Sequence, residues 1–143
     1  MNSDYTIAVH CMVYLASLPE RMANSEALAD NVCTNPARIR KIMSALRQCG
    51  YVRTREGIGG GYQLDCEPEE VNLGDLYKII CFGSLKPRWC SGDPDRDCAV
   101  SANISDVMDS IYYDAEAQLA KYLSRWTVQD ILVKVNQLQA SKR

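Results

Sequence analysis

Seven cysteines, at positions 11, 33, 49, 66, 81, 90 and 98, are the most reactive side chains of this 143-residue chain. Their odd number, with nothing to suggest secretion, argues against a static disulfide scaffold. Cys98 directly precedes a long helical pattern. A cysteine at a helix N-terminus feels the positive end of the helix dipole, which favours thiolate and hence reaction with oxidants or electrophiles. Asp93, Asp95 and Asp97 oppose that effect and Arg96 offsets part of the opposition. Cys33 is the candidate partner with which an oxidised Cys98 condenses, and Cys90, beside Trp89, is a second candidate sensing or resolving thiol. This thiol chemistry needs no cofactor. The alternative is a three-cysteine site on Cys81, Cys90 and Cys98, separated by eight and seven intervening residues. It would hold an iron–sulfur cluster or zinc, because ligands need proximity in space and not a fixed spacing.

The remaining candidates have plainer readings. Cys11, Cys49 and Cys66 read as small apolar residues. His10, the only histidine, sits mid-helix as a core or dimer-contact residue rather than a ligand. Trp89 either lines a pocket with Tyr112 and Tyr113 or packs under a loop.

A second chemistry is electrostatic. The formal net charge is −2, yet Arg38, Arg40, Lys41, Arg47, Arg53 and Arg55 fall between Pro36 and Arg55 with no acidic residue among them. A local basic patch binds phosphate even on an acidic molecule. Four glycines, at 57, 59, 60 and 61, follow the patch. A phosphate-cradling loop would lead from a strand into a helix N-terminus, whereas here a strand signal, Gly61-Tyr62-Gln63-Leu64, follows. An ordinary hairpin tip on a solvated face is the plain alternative to a wing that enters a DNA groove.

Those residues must be positioned by a few elements. Tyr5, Ala8, Met12, Leu15 and Ala16 mark an amphipathic helix over about residues 4–18, closed by Pro19. Asn24 or Ser25 caps a short helix bearing Leu28, Ala29 and Val32, and Cys33-Thr34-Asn35 leads to Pro36 at a first helical position. Two helices so joined have helix-turn-helix spacing. Between Pro36 and Gln48, Ile39, Ile42, Met43 and Leu46 form the buried stripe, and Arg38, Arg40, Lys41, Ser44 and Gln48 are the candidate groove-facing residues. Gly50 ends this helix. Residues 51–54 and 61–64 then read as hairpin strands around the tip, with Arg53, Arg55 and Gly59-Gly60-Gly61 as its candidate DNA contacts. Asn72-x-x-Asp75 caps a helix to about Cys81. The segment from Phe82 to Asp97 is irregular. Beyond it a single apolar stripe runs through Ile104, Val107, Met108, Ile111, Ala115, Leu119, Tyr122 and Trp126, and such a helix in a small chain needs a second protomer. Thr127-x-x-Asp130 caps the last helix.

The opening Asp4-Tyr5-x-Ile7-Ala8-Val9, the run Ile39-x-x-Ile42-Met43-x-x-Leu46-x-x-x-Gly50-Tyr51-Val52 and the tip Gly57-x-Gly59-Gly60-Gly61-Tyr62 resemble one bacterial family. Val71-x-Leu73-Gly74-Asp75, Cys98 and Trp126-Thr127-Val128-Gln129-Asp130-Ile131-Leu132 extend the match over nearly the whole chain. It is the Rrf-two family of winged-helix repressors. The resemblance implies a homodimer whose long helices pair and present two recognition helices to a palindromic operator in double-stranded DNA. Some members carry a cluster on three closely spaced cysteines before the long helix, and others sense reactive small molecules through a cysteine at the position of Cys98. Family wings place an arginine where this chain has Glu56 and keeps arginine one position earlier, as Arg55. A one-residue shift in a strand reverses side-chain direction, so Arg55 is expected on phosphate rather than on a base edge.

The expected fold is thus mainly α with a small β-hairpin wing: a winged helix-turn-helix over residues 1–81, a sensor loop over 82–98, and a dimerisation helix with a C-terminal helix over 99–143. The expected function is a DNA-binding regulator, a repressor modulated at Cys98. No Cys-x-x-Cys, paired catalytic carboxylates or nucleophile–base arrangement supports the remote alternative, a thiol or iron–sulfur oxidoreductase. The N-terminal segment lacks a basic leader and its apolar run is too short to span a bilayer, which points to a cytoplasmic protein without a membrane partner.

Overall fold

A computed structural model describes residues 3–142; Met1 and Asn2 of the N-terminal segment and Arg143 at the end of the C-terminal one lie outside them. Helix α1 spans Ser3–Ser17, strand β1 Met22–Ala23, α2 Ser25–Val32, α3 Pro36–Gln48, β2 Val52–Arg55 and β3 Gly61–Leu64. After a 3-10 turn at Pro68–Glu70 come α4 (Leu73–Cys81), α5 (Ala99–Leu123) and α6 (Val128–Ser141). Among the described residues no helix is long and apolar enough to cross a membrane.

Caps fix the helix starts. Asn24 accepts from the Ala27 amide at 2.8 Å, Asn35 from Arg38 at 2.9 Å and Asn72 from Asp75 at 2.8 Å, while Thr127 and Asp130 close a capping box. The α2–α3 turn depends on Cys33, which adopts a left-handed conformation at φ 67° and donates its backbone N–H to the end of α2. Ile39, Ile42, Met43 and Leu46 of α3 are buried against α1, whose Ala8, Cys11, Met12 and Leu15 are fully enclosed. Together they fix the angle at which α3 leaves the body.

The sheet is antiparallel in the order β1-β3-β2, with Val52 opposite Leu64, Arg53 opposite Gln63, Thr54 opposite Tyr62 and Arg55 opposite Gly61. Two features differ from expectation. The hairpin gains a third strand, β1, whose two residues are too few to show an alternating pattern. Its first strand also lies one residue later, bringing Arg55 into the ladder.

The long helix differs too. It ends at Leu123, and Trp126 lies beyond it, because the extended backbone of the Thr127 cap forces the chain out of the helix first. The single apolar stripe resolves into two faces. Tyr112, Glu116, Leu119, Ala120 and Leu123 turn toward the body, whereas Val100, Val107 and Ile111 are 70%, 53% and 51% exposed. The two faces lie roughly 140° or more apart around the helix.

Candidate nucleic-acid interface and thiol site

Helix α3 presents Arg40, Lys41, Arg47 and Gln48 to solvent, with Ser44 half-buried between its exposed and core faces. Arg40 reaches Ser25 Oγ at 3.5 Å and makes no ion pair among the described residues. Arg38 departs from its expected place among the groove-facing bases. Its Nε donates to Asp4 Oδ1 at 2.9 Å, an Nη nitrogen lies 2.8 Å from the same oxygen, and its other contact is Ser3 Oγ. The guanidinium is committed to α1, where it pins the first turn of the helix that follows Asn35. Asp4 is 34 positions away in sequence, so no local pattern signals the pairing.

The wing is built on close backbone approach. Gly60 N–H donates to the Gly57 carbonyl at 3.1 Å, and a Cβ at Gly60 would strike the carbonyl oxygen of Arg55. Only glycine closes this tip without moving the strand that carries the arginines. Gly59 adopts φ 78°, and Ile58 at the tip is fully exposed. Val52 and Leu64 face the core, so Arg53, Arg55 and Gln63 share the outer face.

The candidate thiols divide by burial. Cys33, Cys90 and Cys98 are exposed, and so is Cys49, which departs from its expected role as a small apolar residue. Cys11 fits that role: it is buried, and burial raises its thiol to about 12. Cys66 is half-buried, raised to about 11 first by burial and then by Asp65, Glu70 and Glu67. Cys98 is the N-cap residue of α5 without a side-chain capping hydrogen bond, and the nearby backbone N–H groups of Ser101 and then Val100 lower its pKa from the ordinary value. These amides set the direction; the neighbouring carboxylates do not. Asp93 instead accepts from the Asp95 amide at 3.0 Å, and its own amide donates to the Ser101 carbonyl at 3.0 Å. At Gly92 (φ 85°) a Cβ would run into that same Ser101 carbonyl, so the end of the loop lies tight against the first turn of α5.

The three candidate cluster ligands do not make a site. Cys81 is 5% exposed in the last turn of α4, with its thiol pushed up by burial, while Cys90 and Cys98 are on the surface. Among the described residues no three His, Cys, Asp or Glu side chains gather where they could hold a metal ion. The residues present do not fit a three-cysteine cluster.

His10 is exposed rather than in the core and pairs with Asn31 Oδ1 at 2.8 Å. Trp89 is 77% exposed, so it does not pack under the loop; with Cys90, Met108 and Tyr112 it borders a depression of about 230 Å³. Tyr113 lines the adjoining hollow instead, beside Phe82 and Glu116.

Glu116 belongs to no catalytic or metal-binding sequence pattern, yet it is the one buried charged residue among those described. It accepts from Tyr77 Oη at 2.7 Å, from the Gly83 amide at 2.7 Å and from the Leu85 amide at 3.2 Å. Burial raises its pKa, but the Tyr77 hydroxyl and the amides of Leu85, Gly83 and Ser84 outweigh burial and leave it below the ordinary carboxylate value. The carboxylate therefore ties the start of the loop to α4 and α5. Tyr77 packs edge-on against Tyr5, with ring centroids 5.4 Å apart, and Tyr5 adjoins the Asp4 that holds Arg38. A continuous set of contacts thus joins the loop to the first turn of α3.

Comparison with known proteins agrees with this architecture. The Rrf2 family model, described as an iron-dependent transcriptional regulator, matches residues 1–134. The HTH-type transcriptional regulator NsrR of Shouchella clausii is 25% identical over 96% of this chain and 90% of its own. A structure described as a transcriptional regulator from Lactobacillus plantarum superposes with a TM-score of 0.77 at 30% identity, over 99% of this chain and 98% of that one. The global cysteine regulator CymR of Bacillus subtilis shares the fold, with a TM-score of 0.66 at 18% identity over 94% of this chain and 96% of its own.

Proposed function

The chain belongs to the Rrf2 family of transcriptional regulators, and from that premise we propose that it is a homodimeric repressor that binds a palindromic operator and releases it when Cys98 is modified. Its family is one of DNA-binding regulators, not enzymes, which removes the oxidoreductase alternative. The observation that carries the DNA reading is the pairing of an exposed basic face on α3 with a wing whose arginines share one outer surface. In this reading Arg40, Lys41, Ser44 and Gln48 enter the major groove, while Arg53, Arg55 and Gly59-Gly60-Gly61 follow the adjacent backbone. Arg38 supports them by holding α3 on α1.

A dimer that neutralises roughly six to eight phosphates loses affinity with salt at a log–log slope of about −5 to −7. Arg40→Ala is expected to weaken operator binding by roughly 1–3 kcal/mol per protomer if the guanidinium reads a base, as measured by fluorescence anisotropy. Unchanged affinity and slope would reject α3 as the reading helix.

The exposed position of Cys98 at the start of α5, with its pKa lowered, supports a thiol switch, and the burial of Cys81 away from Cys90 and Cys98 favours it over a cluster on these three. The thiolate attacks one oxygen of a peroxide, the O–O bond breaks and hydroxide leaves, giving a sulfenic acid. A second thiol, from Cys33 or Cys90, then attacks that sulfur and displaces water to form a disulfide. Strain in the loop reaches α3 through Glu116, Tyr77, Tyr5 and Asp4. Wild-type protein is expected to release DNA after peroxide, hypochlorite or quinone treatment and Cys98→Ser to hold it. Equal responses of the two would reject the switch. The cluster-bearing reading, by contrast, requires Cys81 to leave the core. It predicts a coloured protein after anaerobic purification, whereas the switch predicts a colourless one with a reactive thiol. The regulator is read as acting in the cytoplasm, where its DNA target lies.

A further inference from the structure

On the outer face of the wing, two like charges converge instead of splaying apart. Gln63 Oε1 accepts from Arg53 Nη2 at 2.9 Å, from Arg53 Nε at 3.2 Å and from Arg55 Nη1 at 3.4 Å. The orientation of the amide is set from its other end, where Gln63 Nε2 donates to the Glu20 carbonyl at 3.2 Å, just before β1. The register Arg53↔Gln63 puts the amide directly across the ladder from one arginine and diagonally from the other. Among the described residues neither guanidinium makes an ion pair, and neither Glu56 nor Glu20 supplies a carboxylate to them. Two cations gathered on one neutral acceptor keep their full charge and most of their donors free.

We infer that Gln63 is a positioning residue that holds Arg53 and Arg55 together as a clamp for one phosphodiester group of the DNA backbone. This deepens the DNA-binding reading and rests on it. The clamp assigns the wing's arginines to seating the protein on the duplex, not to reading bases. A side chain that only supported the sheet would have no need to face two guanidinium groups. A carboxylate at this position would instead pair with them internally and compete with the phosphate.

The test measures affinity against salt concentration for operator and random duplexes, using full-length wild type, Gln63→Glu, the double variant Arg53→Gln/Arg55→Gln, and the combination of all three changes. Gln63→Glu is expected to flatten the salt slope by about 0.9 per protomer, or about 1.8 for a dimer, and to weaken both duplexes equally. The double arginine variant should flatten it at least as much, and adding Gln63→Glu to that background should change nothing further. Thermal unfolding of each variant checks that the fold persists. An unchanged slope for Gln63→Glu overturns the clamp, as does an equal loss when the arginines are already gone, which would make the effect one of added charge alone. A change in the operator-to-random ratio at constant slope overturns it by making the arginines base readers. Failure of wild type to bind any duplex in a salt-dependent way would sink the DNA reading itself, and the clamp with it.

Discussion

Glu116→Ala is expected to destabilise the protein by about 3 kcal/mol, because it strips the buried Tyr77 hydroxyl and the amides of Gly83 and Leu85 of their shared acceptor. The loop amides are partly open to water and recover some of that loss, whereas Tyr77 is fully enclosed and keeps only a long 3.4 Å contact with Ser84. For a chain of this size, 3 kcal/mol lowers Tm by roughly 10 °C, readable by denaturant or thermal unfolding. Glu116→Gln, which keeps an acceptor and its shape, is expected to lose about half as much. The pH dependence has a definite sign. The folded pKa lies below the ordinary value, so the carboxylate's contribution is fully present above its unfolded value of about 4.3 and is lost as pH falls through the folded one. Wild type should therefore lose stability more steeply than Glu116→Gln in acid below that point and run parallel to it at neutral pH. The loop freed from its anchor should also change the rate at which Cys90 and Cys98 react with a thiol reagent. If Glu116→Ala melted like wild type and its thiols reacted at the same rate, neither the anchor nor the contact route to α3 would stand.

The second large effect is expected on assembly. Val100, Val107 and Ile111 repeat at seven- and four-residue spacing along the outward face of α5, where a single copy leaves each more than half exposed. That spacing suits the seam of a helix pair, which in the proposed homodimer a second copy covers. Placing aspartate at Val107 and Ile111 puts four uncompensated charges into the seam of a dimer. The variant is expected to sediment as a monomer and to retain its fold, since both side chains face away from the body. A monomer holds one half-site at a time, so affinity for a palindrome should fall at least a hundredfold while affinity for an isolated half-site changes little. A variant that remained dimeric with wild-type operator affinity would move the interface elsewhere.

Helix α3 was legible because its information is local. Asn35 and Pro36 start it, Gly50 follows its end, and the apolar stripe from Ile39 to Leu46 assigns its faces without reference to the rest of the chain. Caps at Asn72 and Thr127 were readable for the same reason, and the sequence narrows the α2 cap to Asn24 or Ser25, of which the structure uses Asn24. What escaped depends on residues far apart in sequence. Arg38 looks like one more base on a basic helix until Asp4 is brought against it. Glu116 sits between exposed Ala115 and Ala117 with exposed Asp114 and Gln118 beyond them, and only its helical spacing from Tyr112, Ala120 and Leu123 hints that it belongs to the inner face. The apolar residues of α5 belong to two faces that merge into one apparent stripe, which conceals that hint. The cysteines show the opposite limit: their positions were plain, but burial separated Cys81 from Cys90 and Cys98, and no spacing rule foretells that.

The central claim is that this chain recognises duplex DNA through α3 and the wing as a symmetric dimer. Selection from a randomised duplex library by the purified reduced protein, followed by sequencing of the bound fraction, tests it most directly. The expected result is enrichment of an inverted repeat with half-sites about one helical turn apart, weakened when Arg40→Ala replaces wild type. Recovery of the library without enrichment, or of a motif that Arg40→Ala selects equally well, would contradict it.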